Sequence, residues 1–367
     1  MAIQSTLESV LAKGQTFQAF IDDAALTFNA PLWQTEGFAT PMYSMERTWE
    51  GVLSVLESVP AASVIDFSGD KPIKRRPTIA PLSGKIPTLG DKLQMDKEQV
   101  RKFFEFQDRL ASGKIQGLDE LQLLDFLYPD LKIAVTAPHQ RIDYMMLETL
   151  STGYTTMTKT NNPSGVTWTA LDWKVDNKYV SVIWSAANAA TMKPIDDIQA
   201  VVEAWRTKGV EMAYILMNWT TFYIMRNSTQ FAGRFTTALG GNISEVGGSL
   251  FGLNDINALF AAKGLPQIKI INKPVNIEGR DNAYVSATPF ANNRVTFVPS
   301  LAVGKVIHTY ANMQRLQDPS RMYSTNNLTS ISRWVEGDNE FTEYELNAIF
   351  ALTGARSMSI LKTDATS

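Results

Sequence analysis

His139 and His308 are the only imidazoles in the sequence, and neither has partners at the spacing a three-ligand metal site would need. The chain contains no cysteine, so thiolate nucleophiles, disulfides, iron–sulfur clusters and cysteine-built zinc sites are excluded. A serine nucleophile would call for a Gly-x-Ser-x-Gly elbow with an Asp and His framework behind it, and none is present. A phosphate cradle would call for Gly-x-x-x-x-Gly-Lys-Ser/Thr, or Gly-x-Gly-x-x-Gly after a strand, and both are missing. Adjacent carboxylates occur at Asp22–Asp23 and Asp196–Asp197. The second pair falls in the first turn of an expected helix, where the helix dipole stabilises acids, so its reading is structural. No catalytic residue, cofactor or metal is expected, and nothing singles out one lysine for chemistry.

Two features remain. Lys71, Lys74, Arg75 and Arg76 form a basic cluster, either a solvated turn or an arm that offers cations to acidic patches on neighbouring subunits. Gly240, Gly241, Gly247 and Gly248 mark a flexible or tightly turned loop that lacks the lysine a nucleotide site needs.

The elements that must position these features are legible in the periodicity. Residues 31–59 carry Trp33, Phe38, Tyr43 and Trp49, and end in an apolar run (Val52, Leu53, Val55, Leu56, Val59) read as helical. Residues 60–93 change character, with Pro60, Pro72, Pro77, Pro81 and Pro87 around the basic cluster. Strand-like pieces at Ser63–Phe67 and Thr78–Leu82 flank a Ser68-Gly69-Asp70 turn, which predicts an extended hairpin or long loop. It has too few apolar residues for a core of its own and must lean on something else.

Asp96 and Gln99 have the spacing of a capping box, opening a helix that Gly113 stops. Leu118–Thr152 reads as the longest helical stretch, broken by Pro129 and Pro138, with Thr136 as a cap and His139 in the first turn of the last piece. Strands are expected at Val166–Leu171 and Tyr179–Trp184, then a helix at Pro194–Lys208 with one apolar stripe. Met212–Met217 reads as a buried strand, with Asn218 capping a short helix to about Asn227. A helix (Asp255–Lys263), a strand (Gln267–Asn272) and mainly strand-like segments to Lys362 complete an α+β chain without repeats.

Composition bounds the rest. The 367 residues are 44% hydrophobic and 19% charged, enough for one large domain or two interleaved ones. A formal net charge of −3 disfavours specific phosphate recognition, and the absence of cysteine fits a reducing cytoplasm. Met1–Lys13 lacks the basic and apolar regions of a signal peptide, and no apolar run is long enough to predict a membrane helix.

In their order, these pieces resemble the major capsid proteins of tailed bacteriophages with the Hong Kong phage fold, in particular the phage lambda-like branch. An N-terminal arm leads into a Pro-rich extended loop with a basic tip. A long helix then ends in Arg141-Ile-Asp-Tyr-Met-Met-Leu-Glu-Thr-Leu-Ser-Thr-Gly153, similar to the family's spine helix. Pro194-Ile-Asp-Asp-Ile198, Tyr214-Ile-Leu-Met-Asn218 and Asn293-Arg-Val-Thr-Phe-Val-Pro299 follow in the family's order, before Val306–Tyr310 and Arg333-Trp334. The likeness spans about residues 30 to 362.

The resemblance implies a protein that acts through assembly. Residues 1–59 would be an N-terminal arm and lead-in, 60–93 the extended loop, and 94–190 a peripheral domain with the spine helix. Residues 191–300 would form the axial domain, and 301–367 strands returning to both. Such chains assemble into hexamers and pentamers of an icosahedral shell, with the extended loop lying across an adjacent subunit. Lys71, Lys74, Arg75 and Arg76 would then be intersubunit contacts, and the loop holding Gly240, Gly241, Gly247 and Gly248 an axial loop. The implied partners are other copies of the chain, a separate scaffolding protein, portal and decoration proteins, and packaged DNA through non-specific contact, with no membrane. The implied location is the virion, and the host cytoplasm during assembly.

The sequence departs from the family in lacking a long helical scaffolding segment, so a separate scaffold or none is expected. The lysine, asparagine and glutamate that cross-link some relatives have no match here. The competing expectations are an encapsulin-type nanocompartment shell, which the long Pro-rich loop disfavours, and a soluble enzyme with an unfamiliar site.

Overall fold

Helices and strands are interspersed along the described residues. The computed structural model describes residues 17–26, 30–53, 80–111, 119–231, 252–279 and 283–366. Helix α1 (Phe17–Leu26) and the single turn α2 (Leu32–Thr35) precede strand β1 (Ala39–Tyr43). Strands β2 (Thr48–Leu53) and β3 (Ala80–Lys85) come next, then the short β4 (Thr88–Leu89) and β5 (Lys92–Met95). Helices α3 (Lys97–Ala111) and α4 (Asp119–Thr152) lead to β6 (Tyr154–Met157), β7 (Trp168–Asp172) and β8 (Asp176–Val180). Helix α5 (Pro194–Arg206), β9 (Tyr214–Met217), α6 (Trp219–Arg226) and α7 (Leu253–Ala262) follow. The remainder holds β10 (Gln267–Ile270), β11 (Val275–Glu278), β12 (Tyr284–Ala287), β13 (Arg294–Val298) and β14 (Gly304–Thr309). A short helix α8 (Asn312–Arg315) precedes β15 (Met322–Asn326), β16 (Thr329–Glu336), β17 (Asn339–Leu352) and β18 (Ser359–Thr366). The class is α+β, as expected.

Two sheets organise the molecule. A seven-stranded sheet runs in the order β1-β14-β17-β16-β15, with β4 and β5 also paired to β17. The 14-residue β17 spans it, pairing β16 and β5 along its first half and β14 and β4 along its second. A five-stranded sheet runs β10-β9-β13-β18-β8.

Helix α4 joins the two sheets. Its 34 residues make a rod of about 50 Å. Ile142, Met145, Met146, Leu147 and Leu150 are completely buried in one cluster with Val306, Phe350 and Ile360. The helix ends where Gly153 takes a φ of +79°, a left-handed turn that a side chain would resist. Thr296 of β13 donates its hydroxyl to the Leu150 carbonyl at 2.7 Å, tying the five-stranded sheet to the last helical turn. A second core lies around α5, where Ile195, Ile198, Val201, Val202 and Trp205 meet Phe222, Phe260 and Phe297.

The capping box formed by Asp96 and Gln99 is present, with reciprocal bonds of 2.8 and 3.0 Å. Asn218 caps α6 by accepting from the Thr221 amide at 2.9 Å. Several local expectations change. The strand expected at Tyr179–Trp184 lies earlier, at Asp176–Val180. Pro129 and Pro138 lie inside a continuous helix, so Thr136 is no cap and instead bonds the Lys132 carbonyl at 2.7 Å. Each proline removes one backbone donor, but dense packing along the helix's second half holds the rod together. The expected helix at Val52–Val59 begins as strand: Val52 and Leu53 pair with Pro81 and Ala80, and residues 54–79 lie outside the described segments.

Candidate functional site

Strands β2 and β3 form a two-stranded ribbon apart from both large sheets, in register from Thr48↔Lys85 to Leu53↔Ala80. The pairing differs from the expected hairpin: Ala80, Pro81 and Leu82 pair with Leu53, Val52 and Gly51, before the Pro-rich segment, and Ser63–Phe67 lies outside the described residues. Lys71, Lys74, Arg75 and Arg76 fall between the two strands in sequence and lie outside the described residues, as do Gly240, Gly241, Gly247 and Gly248.

Two side-chain relays fasten the ribbon's root. Trp49 is buried and stacks on Trp173 with ring centroids 5.4 Å apart. The Trp173 indole donates to Thr155 Oγ1 at 2.8 Å, and that hydroxyl meets Thr149 Oγ1 of α4 at 2.7 Å. Gly84 on the facing strand is required here, because a Cβ would stand 2.9 Å from Trp49 Nε1. On the other side Arg47 donates to Thr88 Oγ1 at 2.8 Å, and Thr88 donates to Asn347 Oδ1 of β17 at 2.6 Å. The ribbon is therefore cantilevered from the helical rod and the central strand. A cleft of about 550 Å³ opens beside it, lined by Ile86, Pro87, Val166 and Trp168, with Arg47 and Lys85 among its other lining residues. Met45, 85% exposed, lies in the turn before the ribbon.

Buried ionic knots hold the parts that carry this arm. Asp143 of α4 is completely buried. It accepts from the backbone amides of Leu32 at 3.0 Å and Trp33 at 2.9 Å, and pairs with Lys273 at 2.5 Å. One carboxylate thus joins the lead-in segment, the helical rod and the segment after β10. In β16 and β17, Arg333 and Glu340 form a buried pair at 2.9 Å, with Thr342 accepting from Arg333 at 3.2 Å.

His139 lies mid-helix, buried beside Asp143 and stacked on Trp33 with centroids 5.9 Å apart. Burial lowers its pKa to about 4, the Asn327 backbone opposes this, and the charge of Lys273 adds to it. The unfolded chain therefore takes up a proton between about pH 6.5 and 4 that the folded chain refuses. The stability this neutral imidazole preserves is complete above pH 6.5 and is lost as pH falls toward 4, by about 3 kcal/mol. Urea midpoints measured from pH 7 to 4 should fall accordingly, and His139→Phe should flatten that slope. An unchanged slope in the variant would show that other groups set it. His308, in β14, packs edge-on against Tyr43, and burial lowers its pKa as well.

The surface carries apolar groups suited to macromolecular contact. The β11–β12 hairpin buries Val275 and Ile277 against Tyr144, but leaves Tyr284 68% and Val285 61% exposed. On α6, Trp219 stacks on Tyr223 at 5.4 Å, and the Arg226 guanidinium lies 4.9 Å from the Tyr223 ring. Trp, Tyr and Arg are the residue types that dominate binding hot spots. Among the described residues no group of three or more metal-ligating side chains occurs, and no helix is long and apolar enough to cross a membrane.

Sequence reasoning missed Asp143, Tyr284, Val285 and the Trp219–Tyr223–Arg226 ladder. The ladder was partly within reach: its i, i+4, i+7 spacing fell inside a helix expected from Asn218, in which Phe222 and Met225 are the buried apolar residues.

No family model matches this sequence, and no curated protein matches it. Solved structures do. The chain is similar to a protein assigned as the capsid protein of a prophage in Escherichia coli CFT073, with a TM-score of 0.54 and 14% identity over 94% of this chain and 96% of that one. It is also similar to a phage-related protein from Bordetella bronchiseptica RB50, with a TM-score of 0.50 and 9% identity over 96% of this chain and 98% of that one. Identities this low speak to fold alone, and the fold is the phage capsid fold over nearly the full length.

Proposed function

We propose that this chain is the major capsid protein of a tailed bacteriophage, a structural subunit without catalytic chemistry that self-assembles into hexamers and pentamers of an icosahedral shell. The observation that carries the reading is the cantilevered ribbon. Its root is fastened to α4 and β17 by stacked tryptophans and a hydrogen-bond relay, while it stands apart from both sheets. A root fastened in this way makes sense when the arm beyond it takes its contacts from a neighbour. The capsid fold along the chain supports the same conclusion.

In this reading the part of the expected 60–93 loop that reaches across an adjacent subunit lies before Ile86, because residues 88–93 belong to this chain's own sheet through β4 and β5, and Lys71, Lys74, Arg75 and Arg76 meet the neighbour's acidic surface. Residues 191–300 face the centre of each capsomer, with the loop of Gly240, Gly241, Gly247 and Gly248 at the axis. Residues 94–190, with the spine helix, form the periphery, and 301–367 return to both. Assembly would place the protein in the virion, following formation in the host cytoplasm with a separate scaffold, portal and decoration proteins. DNA is enclosed with only loose, non-specific contact, since a net charge of −3 gives no basic excess with which to grip phosphates.

Charge reversal tests the arm directly. Changing Lys71, Lys74, Arg75 and Arg76 together to glutamate should leave subunit folding intact and abolish large particles in light scattering, leaving free subunits or capsomers. Particles of wild-type size from the quadruple variant would remove the arm's cations from the account.

A further inference from the structure

The cleft beside the ribbon root has the size and lining of a small-molecule site. Its volume of about 550 Å³ falls within the roughly 300–1,000 Å³ usual for such sites, which are mostly apolar with a few polar groups. Ile86, Pro87, Val166 and Trp168 supply apolar lining, and Val166 is 69% exposed. The charged lining residues, Arg47 and Lys85, are both cations, and among the described residues no carboxylate lines the cleft.

The lining is tied to the rest of the fold. Ile86 is buried in the main core, and Trp168 packs against that core. The Ile86 amide donates to the Arg47 carbonyl at 2.7 Å, and the Arg47 guanidinium donates to Thr88 at 2.8 Å. The Val166 carbonyl accepts from Asn162 at 2.9 Å, in a loop that Arg141 grips by donating to the Asn161 carbonyl at 2.7 Å. Lys85 is exposed, and no described carboxylate forms an ion pair with it or with Arg47. Glu46 accepts from the lining residue Thr48 at 3.0 Å but does not itself line the cleft.

We propose that this cleft binds a small amphiphilic anion: an apolar body with one acidic head group, as in a medium-chain carboxylate. The body lies on Trp168, Val166 and Pro87, and the head group meets Arg47 and Lys85. Charge complementarity selects the anion, because the lining offers two cations without ion-pair partners and no acid. The inference does not depend on the shell-forming reading, since the cleft is complete within one subunit. Arg47 also fastens the ribbon through Thr88, so a bound head group acts at the root of the arm.

The test titrates the full-length protein with decanoate, kept below its micelle-forming range, by isothermal calorimetry, with folding of each variant checked by near-ultraviolet circular dichroism. Wild type should bind one decanoate per subunit, decanol more weakly by about fivefold, and decyltrimethylammonium not at all. Lys85→Gln should weaken decanoate by about fivefold, the effect of one charged contact at an exposed head group, and leave decanol unchanged. Glu46→Gln should tighten decanoate, and Val166→Asp should abolish its binding. A terminally brominated decanoate should quench part of the tryptophan fluorescence, and Trp168→Phe should remove that part. Absence of saturable binding by wild type, or equal affinity for decanoate in wild type, Lys85→Gln and Val166→Asp, would overturn the proposal. Should Val166→Asp fail to fold, Lys85→Gln decides, because its side chain is exposed and carries no structural contact with a described carboxylate. Binding to anionic phospholipid vesicles but not to monomeric decanoate would assign the patch to a membrane surface and overturn it equally. None of these outcomes bears on whether the subunit forms shells, so the two readings fail separately.

Discussion

Replacing Asp143 with alanine should destabilise the folded subunit by about 3–5 kcal/mol, the cost typical of breaking a buried ion pair from one side. The carboxylate is completely buried and satisfies three donors from two distant segments: the amides of Leu32 and Trp33, and Lys273. Alanine leaves both amides without an acceptor and strands a lysine that is only 30% exposed. Nothing nearby on α4 replaces it, since the next helical turn presents Met146 and Leu147 to the core. Asparagine should cost less, because its carbonyl still serves one amide while the ion pair is lost. Urea unfolding measures both, and a midpoint for Asp143→Ala equal to wild type would show that the lead-in segment is held by other contacts. Because this residue docks the segment leading to the ribbon, the variant should also assemble poorly at temperatures where it remains folded.

A second large effect is expected at the opposite end of α4. Glu340→Ala should cost about 3 kcal/mol, because it leaves the Arg333 guanidinium buried without its principal counter-charge. Asp130 of α4 lies close enough to feel both groups. Burial raises its pKa, Arg333 lowers it and Glu340 raises it further, so removing Glu340 lets Asp130 compensate in part. The informative comparison is the double change Arg333→Met/Glu340→Leu. Apolar replacement of a buried pair is often neutral or stabilising, so the double variant should be more stable than either single one. Additive losses would show that the pair's hydrogen bonds, including the one to Thr342, matter more than its charge.

Much of the local structure is legible from neighbouring residues. The Asp96–Gln99 capping box, the Asn218 cap, the apolar stripe of α5 and the left-handed stop at Gly153 all depend on spacings of a few residues. What the sequence hides is decided at long range. Pro129 and Pro138 would break an isolated helix, but packing of the second half of α4 against β13 and β17 overrides that rule. Val52 and Leu53 belong to an apolar run whose period suits helix or strand, and only pairing with a segment some 30 residues later settles it. Asp143 looks like any helical acid until residues more than 100 positions away converge on it. Tyr284 and Val285 sit in a strand of four residues, too short for periodicity to reveal which side is exposed. The basic cluster and the glycine loop were chosen from composition alone, and their roles rest on the proposed assembly.

The most direct test of that assembly is electron microscopy of the purified full-length protein, with light scattering on the same sample. Closed shells, or hexameric and pentameric rings, are the predicted result, and nucleic acid within particles made in an infected or induced host would favour a phage head over a nanocompartment. A uniform monomer or dimer across salt and concentration would contradict the account.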